Sequence, residues 1–142
     1  MSCGAWDIRH DRLIAIMACH TTLQPTLTRT GVPTLVLAGN PNVGKSVVFG
    51  ALTGRYVTVS NYPGTTVEVT SGSARTPSGE TLLVDTPGVY SLIPLSDDER
   101  VTRDILLAER PTAVLQVADA KNLARGLVIT LELAELGLPA VL

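Results

Sequence analysis

From residue 31 onward, the chain alternates between short apolar runs and stretches in which apolar residues recur every three or four positions. The run Thr34–Ala38 is apolar along nearly its whole length, which is typical of a strand buried on both faces of a sheet. Ser46–Thr53 follows across a glycine-rich segment and is predicted to be a helix that ends at Gly54. Residues 55–66 are largely polar and contain proline and glycine, so they are predicted to be a loop.

Apolar and β-branched residues return after this loop in two short segments. Val67–Arg75 and Thr81–Val84 are predicted to be strands, and Pro77-Ser78-Gly79 between them is a turn signal. Because the connection is short, the two strands are expected to pair as an antiparallel hairpin.

The next amphipathic stretch begins at a capping box. Ser96 and Glu99 are three residues apart, so each side chain can bond the backbone N–H of the other. The predicted helix ends before Pro111. Its core-facing residues are expected to be Val101, Ile105 and Ala108.

The last part of the chain repeats the strand and helix pattern. Ala113–Val117 is predicted to be a buried strand, and Asn122 to cap a helix that is closed by Gly137. Gly126 inside this helix costs about 1 kcal/mol relative to alanine. The final residues, 139–142, have the composition of the start of another strand. The helix is expected to bury a stripe made of Leu123, Leu127, Leu131 and Ala134.

This order of elements predicts the fold class. Strands that alternate with helices form a three-layer α/β sandwich around a mostly parallel sheet, and ligands bind at the carboxyl ends of its strands. Residues 31–142 are predicted to form this domain, which we expect to be incomplete at its C-terminal end. Residues 1–30 show no sustained period and are predicted to be an irregular, flexible leader with at most one helical turn.

Composition narrows the function. A chain of 142 residues that is 45% hydrophobic can bury one core. Its net charge of −2 gives no electrostatic basis for binding nucleic acid or an anionic membrane. The sequence contains no apolar run of the roughly 18 residues that a spanning helix needs, and two cysteines are too few for a disulfide framework. A cytoplasmic protein is therefore expected.

The leader offers two alternatives to that interpretation. Residues 13–19 are apolar and follow two arginines, as in a secretion signal, but they are about as short as the apolar core of such a signal can be. Zinc could be held by four leader residues, although their spacing matches no compact zinc site. These residues are Cys3, His10, Cys19 and His20.

The strongest chemical signal is a phosphate-binding loop that follows the first strand, Gly39-Asn40-Pro41-Asn42-Val43-Gly44-Lys45-Ser46. This G-x-x-x-x-G-K-S spacing is specific because a buried strand precedes it and a helix follows it. The two glycines allow backbone N–H groups to converge on phosphate oxygens, and the helix adds the positive end of its dipole. Lys45 is expected to reach the β- and γ-phosphates, and the Ser46 hydroxyl to coordinate Mg²⁺.

A second candidate site element, Asp85-Thr86-Pro87-Gly88, lies at the end of another predicted buried strand. An aspartate at this position can hold magnesium, and Gly88 can offer its N–H to the γ-phosphate without a side chain in the way. By itself the segment could be an ordinary turn. Its position 39 residues after Ser46 predicts that it completes the same site.

Thr65 and Thr66 lie between the P-loop helix and the hairpin. A loop threonine that binds magnesium only while the γ-phosphate is present would act as a switch. The same residues could instead begin a β-branched strand, and the spacing does not decide between the two.

Together these segments resemble the amino-terminal G domain of the ferrous iron transport protein B (FeoB) family. The resemblance covers about residues 33–142 and implies a P-loop NTPase fold of the Ras-like type. Three sequence motifs carry the resemblance: the P-loop, Asn61-Tyr62-Pro63-Gly64-Thr65-Thr66-Val67-Glu68, and Asp85-Thr86-Pro87-Gly88-Val89-Tyr90-Ser91-Leu92. Gly50 departs from the family pattern, which usually has asparagine there.

The resemblance implies a role for each matching residue. Lys45, Thr66 and Gly88 would contribute to catalysis of GTP hydrolysis, and Ser46, Thr66 and Asp85 would bind magnesium. Asn42 falls where potassium-stimulated members carry an asparagine that helps to hold K⁺. GTP would contact residues 39–46, Thr65, Thr66 and residues 85–88. Val89 stands where Ras-like enzymes have a water-orienting glutamine, so slow intrinsic hydrolysis is expected.

The resemblance also implies a context for the domain. Its partners would be GTP and GDP and, in the intact family, a membrane permease domain in the same chain, which the 142 residues do not include. Nucleic acid would not be a partner, and a homo-oligomer is compatible with the domain. The location would be the cytoplasmic face of the inner membrane. The guanine-reading motif N-[KM]-x-D would follow the strand that begins at Pro139, beyond residue 142. An interrupted reading frame or a partial gene is therefore expected. The alternatives are a non-catalytic remnant that binds phosphate weakly and a soluble GTPase associated with ribosomes or tRNA.

Overall fold

The computed structural model describes residues 31–77 and 79–142 of the chain. The predictions for the leader, including the secretion signal and the zinc ligands, lie outside these residues. The described part is a mixed sheet with helices on both faces, as predicted. Its elements are β1 (Thr34–Gly39), α1 (Lys45–Leu52), β2 (Thr53–Asn61), β3 (Glu68–Thr76), β4 (Gly79–Asp85), α2 (Asp97–Glu109), β5 (Ala113–Val117), a 3₁₀ turn (Ala120–Asn122), α3 (Leu123–Glu135) and β6 (Ala140–Val141).

The strand order places the P-loop strand near the centre of the sheet. The order is β2-β3-β4-β1-β5-β6, and β1 pairs in parallel with both β4 and β5. β6 extends the parallel part, whereas β3 runs antiparallel to β2 and β4. The β3–β4 hairpin is confirmed. In the register of β1 with β4, Leu37 pairs with Asp85, so the P-loop and the second site segment leave the sheet at the same edge.

Two apolar clusters cover the two faces of the sheet. One lies under α2 and α3 and includes Val36, Val84 and Ile105, all at most 1% exposed. The other packs Phe49 of α1 against Leu37 and Leu83. Full burial of such side chains stabilises the fold by about 1.5–3 kcal/mol each. The three-layer arrangement predicted from the sequence is therefore confirmed.

The predicted loop over residues 55–66 was wrong for its first half. β2 begins at Thr53, directly after α1, and continues to Asn61. Among the described strands it pairs only with β3 and so lies at an edge of the sheet, where Val57 and Val59 remain about half exposed. An exposed edge tolerates the polar composition that suggested a loop. Gly54 consequently lies in this strand and does not end the helix.

The capping box of α2 is confirmed in both directions. The Glu99 N–H donates to the Ser96 hydroxyl at 3.3 Å, and the Ser96 N–H donates to the Glu99 carboxylate at 3.1 Å. Val101 and Ile105 are buried as expected, but Ala108 is exposed. The helix also buries its 102, 106 and 109 positions, because its contact stripe is rotated from the predicted one.

The predicted core stripe of α3 was also wrong. Leu123, Leu127 and Leu131 are 44%, 40% and 66% exposed, and Ala134 is exposed as well. The buried face consists of Gly126, Ile129 and Leu133. This helix is apolar on most of its circumference, so several stripes fit the helical period and the sequence does not select one. Asn122 precedes the helix without a side-chain cap, whereas Gly137 closes it with φ of 68° as predicted.

Gly126 permits the close contact between α3 and the end of β5. A Cβ atom at this position would lie 2.7 Å from the Ala118 Cβ. We expect Gly126→Ala to destabilise the protein by about 1–3 kcal/mol because overpacking outweighs the helix propensity that alanine gains. Gly50→Ala is the matched control in α1, where a Cβ meets nothing within 4 Å. That change should stabilise by about 0.5–1 kcal/mol. Urea unfolding of both variants measures this, and stabilisation by Gly126→Ala would contradict the contact.

Candidate functional site

The phosphate-binding loop has the backbone that its glycines predict. Gly39 has φ of 151° and Gly44 has φ of 94°, and a Cβ on Gly39 would collide with the Val117 carbonyl oxygen. Asn42 also has positive φ, at 60°, and its side chain is exposed. α1 starts at Lys45, immediately after this turn. The loop therefore presents the N-terminal N–H groups of an eight-residue helix at the sheet edge.

Lys45 is held inside the loop. The residue is 8% exposed, and its Nζ donates to the Asn40 carbonyl oxygen at 3.3 Å. Burial lowers the pKa of Lys45, and the negative charge of Asp85 acts in the opposite direction. The ammonium group is thus poorly solvated and has one hydrogen-bond acceptor in the part of the chain that the structure describes, which leaves it able to bind an anion.

Ser46 and Asp85 connect the two predicted halves of the site. The Ser46 hydroxyl donates to Asp85 Oδ2 at 2.9 Å, although the two residues are 39 positions apart. The other carboxylate oxygen, Oδ1, is buried without a hydrogen-bond partner in the described part of the chain. Burial raises the pKa of Asp85, while the Ser46 hydrogen bond and Lys45 oppose that shift. An unpaired, partly desolvated carboxylate beside a hydroxyl is a suitable pair of oxygen ligands for a hard cation.

The segment after β4 is fastened across the P-loop. The Thr86 hydroxyl donates to the Leu37 carbonyl oxygen at 2.7 Å. Gly88 is so close to the loop that a Cβ would lie 2.6 Å from the Pro41 Cα and 3.1 Å from the Lys45 Nζ. The structure thus brings Asp85-Thr86-Pro87-Gly88 together with the P-loop, and only glycine fits at its last position.

The two threonines of the predicted switch have different environments. Thr65 is part of a turn, in which its hydroxyl donates to the Tyr62 carbonyl oxygen at 2.9 Å and accepts from the Val67 N–H at 3.2 Å. Thr66 is exposed and has no hydrogen bond among the described residues. β3 begins only at Glu68, so neither threonine starts the strand. Because Thr70 pairs with Asp85, this turn lies beyond the same sheet edge as the P-loop.

An open cavity of about 230 Å³ lies beside the loop. One wall is formed by the P-loop, and the opposite wall by the start of α3 and the preceding turn. Asn42 lines the cavity, as do Tyr90, Asp119 and Arg125. The Asp119 side chain accepts from the Lys121 N–H at 2.9 Å, so it caps the 3₁₀ turn. Polar groups therefore surround the outer flank of the loop.

Two residues support the site in a way that the sequence did not predict, because each forms hydrogen bonds to the segment that follows Gly88. The Asn40 side chain donates to the Val89 carbonyl oxygen at 3.1 Å, although Asn40 was assigned only as part of the phosphate loop. Glu132 of α3 accepts hydrogen bonds from Ser91 and Leu92. No local pattern indicates the role of Glu132, because its partners are about 40 residues away.

No helix within the described ranges is long and apolar enough to cross a membrane.

Comparisons with known proteins agree with this geometry. The family model described as ferrous iron transport protein B matches residues 33–142. The Fe(2+) transporter FeoB of Methanocaldococcus jannaschii is 47% identical over 103 residues, which are 72% of this chain and 15% of that protein.

Two solved structures are similar in fold and sequence. A GDP-bound mutant of the S. thermophilus FeoB G domain has a TM-score of 0.71 at 42% identity, over 77% of this chain and 42% of that one. The cytosolic domain of T. maritima FeoB, in a GDP form, has a TM-score of 0.72 at 40% identity, over 77% and 43% of the two chains. The predicted cytoplasmic assignment agrees with the cytosolic nature of that domain. The chain thus spans less than half of these solved chains and a small fraction of the transporter.

The match extends over the P-loop, the segment that ends at Gly88 and the strands that connect them, so the chain belongs to the ferrous iron transport protein B family, in the part that forms its amino-terminal G domain.

Proposed function

We propose that this chain is the GTP-binding and GTP-hydrolysing switch module of a ferrous iron uptake system. The observation that carries the proposal is the 2.9 Å hydrogen bond from Ser46 to Asp85, which joins the P-loop to the segment that ends at Gly88. A lone P-loop would bind phosphate, but a nucleotide switch also needs a second element that responds to the γ-phosphate. The closeness of Gly88 to Pro41 and Lys45 of the loop supports its assignment to that second element.

Guanine is the base we assign to the ligand. The similar S. thermophilus and T. maritima structures contain GDP, and the family relatives are Fe(2+) transporters. The intact protein would accordingly carry a membrane permease, with this module on the cytoplasmic side of the inner membrane. The net charge of −2 and the motif Val89-Tyr90-Ser91-Leu92 disfavour the alternative of a GTPase associated with ribosomes or tRNA.

The residues of the site fit a nucleotide with magnesium. Ser46 and Asp85 would hold the ion, which supplies charge neutralisation for the phosphates when bound. Lys45 would bind the β- and γ-phosphate oxygens, and the N–H groups of the loop would complete the cradle. The Gly88 N–H would contact the γ-phosphate. Thr66 would join the site from its exposed turn only in the triphosphate state, as an element of the switch.

The residue after Gly88, Val89, is the reason why we expect slow GTP hydrolysis. Its side chain is 1% exposed and cannot donate or accept a hydrogen bond, so it does not orient a water molecule. Hydrolysis would therefore rely on positioning by backbone groups and should be slow.

The proposal is tested by a thermal melt and a hydrolysis assay on the whole chain. We expect Mg²⁺ with a non-hydrolysable GTP analogue to stabilise the folded chain by a free energy of RT ln(1 + [L]/Kd), and so to raise its melting temperature. Phosphate release from GTP should be measurable and lost in chelator. A cooperative melt that millimolar GTP does not shift would refute the nucleotide switch. A shift without phosphate release would instead support the non-catalytic remnant.

Potassium dependence is a separate expectation that concerns Asn42. If the Asn42 amide helps to hold a monovalent cation near the phosphates, GTP hydrolysis should be several-fold faster in K⁺ than in Na⁺. Asn42→Ala should remove most of that difference. Asn122→Ala, on the opposite wall of the same cavity, is the control and should preserve it. Equal rates of the unchanged protein in the two salts would contradict the potassium role.

A further inference from the structure

The segment that follows Gly88, residues 89–93, forms two hydrogen bonds to α3, both to the carboxylate of Glu132. The Ser91 hydroxyl donates to Glu132 Oε1 at 2.6 Å, and the Leu92 N–H donates to Glu132 Oε2 at 2.6 Å. The Ile93 N–H in turn donates to the Ser91 hydroxyl at 3.0 Å. Both oxygens of one carboxylate are thus used by adjacent residues, in short charge-assisted hydrogen bonds.

A second contact joins the same segment to the same helix. The Arg125 guanidinium lies 5.4 Å from the centre of the Tyr90 ring, within the range of a cation–π interaction. Arg125 and Glu132 are seven residues apart, so they lie on one face of α3 about two turns from each other. Three consecutive residues, 90–92, therefore contact one helical face.

α3 is itself fixed to the sheet. The Gln116 side chain, 5% exposed, donates to the Gly126 carbonyl oxygen at 2.7 Å and accepts from the Thr130 hydroxyl at 2.8 Å. The close approach of Gly126 to Ala118 allows no space between the helix and the end of β5. An element held by these buried contacts is a rigid support.

The other end of the segment is bound to the P-loop. The Val89 N–H donates to the Gly39 carbonyl oxygen at 3.0 Å, and the Val89 carbonyl oxygen accepts from the Asn40 side chain. Gly88, one residue earlier, contacts Pro41 and Lys45. The segment thus bridges the phosphate loop and α3, and its course is determined at both ends.

We propose that Glu132 is a positioning residue that keeps the Gly88 N–H at the phosphate loop and thereby sets the preference of the site for a triphosphate over a diphosphate. This inference rests on the proposed nucleotide-binding function and adds the residue that supports the γ-phosphate contact. Glu132 acts through Ser91 and Leu92 and does not touch the nucleotide. A diphosphate does not use the Gly88 contact, so its affinity is independent of Glu132.

The test compares the affinities of GDP and a non-hydrolysable GTP analogue, each with Mg²⁺, in the whole chain. Glu132→Ala removes both hydrogen bonds and should weaken the binding of the GTP analogue by about tenfold. The affinity for GDP should change by less than about twofold. Glu132→Gln should restore most of the preference, because its amide can accept from the Leu92 N–H and donate to the Ser91 hydroxyl. Glu135→Ala, which removes an exposed carboxylate one helical turn away, should change neither affinity.

The outcomes separate the inference from the function on which it rests. If the unchanged chain binds neither nucleotide, the proposed function fails and the inference fails with it. If the unchanged chain binds both and Glu132→Ala leaves their ratio as it was, only the positioning role is refuted. A parallel loss of both affinities would likewise overturn it, since that result describes a general structural role. A loss confined to the triphosphate, with recovery in Glu132→Gln, would establish it.

Discussion

Replacement of Lys45 by methionine is expected to weaken the binding of a GTP analogue by at least about 100-fold. Lys45 is 8% exposed, and within the described ranges its ammonium group has one hydrogen bond, to the Asn40 carbonyl oxygen. In the complex it would gain two charge-assisted hydrogen bonds to phosphate oxygens, and about 3 kcal/mol is lost with them. Methionine keeps the length of the apolar stem, so packing in the loop is preserved. Titration calorimetry with the analogue and with GDP measures the effect.

The same change should leave the stability of the free protein unaltered or slightly increased. Burial lowers the pKa of Lys45, which means that the fold disfavours its charged form. An uncharged side chain of similar length removes that cost. Lys121→Met is the matched control, since Lys121 is the other lysine of the chain and is exposed. An undiminished affinity in Lys45→Met would exclude this loop as the phosphate site.

The P-loop could be predicted from sequence because its determinants are local. The strand, the two glycines, the lysine and the serine lie within 13 consecutive residues, 34–46, and each has a direct conformational or chemical reason. Asp85 was predicted from its place at a strand end, and the parallel pairing of Leu37 with Asp85 confirms that reasoning. Short-range patterns are informative where the chemistry depends on few neighbours.

The wrong predictions concern which face of a helix is buried and which strand lies at the edge of the sheet. Both depend on residues that are distant in the sequence. The first half of the predicted loop over residues 55–66 is the edge strand β2, whose pairing with β3 is not visible in its own polar sequence. The buried face of α3 is selected by the tight contact at Gly126, whose partner Ala118 is on another element. Glu132 could not be found at all, since a glutamate in a helix is usually a solvated residue and its two donors are contributed by a remote loop. Tertiary packing thus decides what the helical period leaves open.

The second large effect is expected for Asp85→Asn, which should abolish the gain in nucleotide affinity that Mg²⁺ provides. In the unchanged chain, magnesium should strengthen binding by tenfold or more, on the order of 1.4 kcal/mol. Asparagine keeps the shape of the side chain and an oxygen for the Ser46 hydroxyl, but it removes the charge that a hard cation requires. Affinities for GDP and a GTP analogue, each measured with magnesium and with chelator, test this. Retention of the magnesium effect would exclude Asp85 as a ligand.

In chelator, Asp85→Asn should stabilise the free protein. The carboxylate is partly buried, its Oδ1 has no partner among the described residues, and burial raises its pKa against the opposing effects of Ser46 and Lys45. The fold therefore binds the Asp85 proton more tightly than the unfolded chain does, so the charged form lowers the free energy of unfolding as pH rises through the raised pKa. The asparagine variant lacks this cost, so its melting temperature should be higher than that of the unchanged chain at neutral pH.

The pH dependence separates this electrostatic origin from a change in packing. Since protonation makes Asp85 neutral, the difference in melting temperature between Asp85→Asn and the unchanged chain should shrink as pH is lowered through the raised pKa. A packing effect would persist at every pH. Asp97→Asn is the control, because Asp97 forms a surface ion pair with Arg100 at 3.0 Å and both side chains are at least half exposed. Such a pair contributes about 0–1 kcal/mol, so its loss should neither stabilise the fold nor alter the response to magnesium. If Asp85 lowers the stability of the free protein and contributes to nucleotide affinity only when magnesium is present, its role is in binding and not in folding.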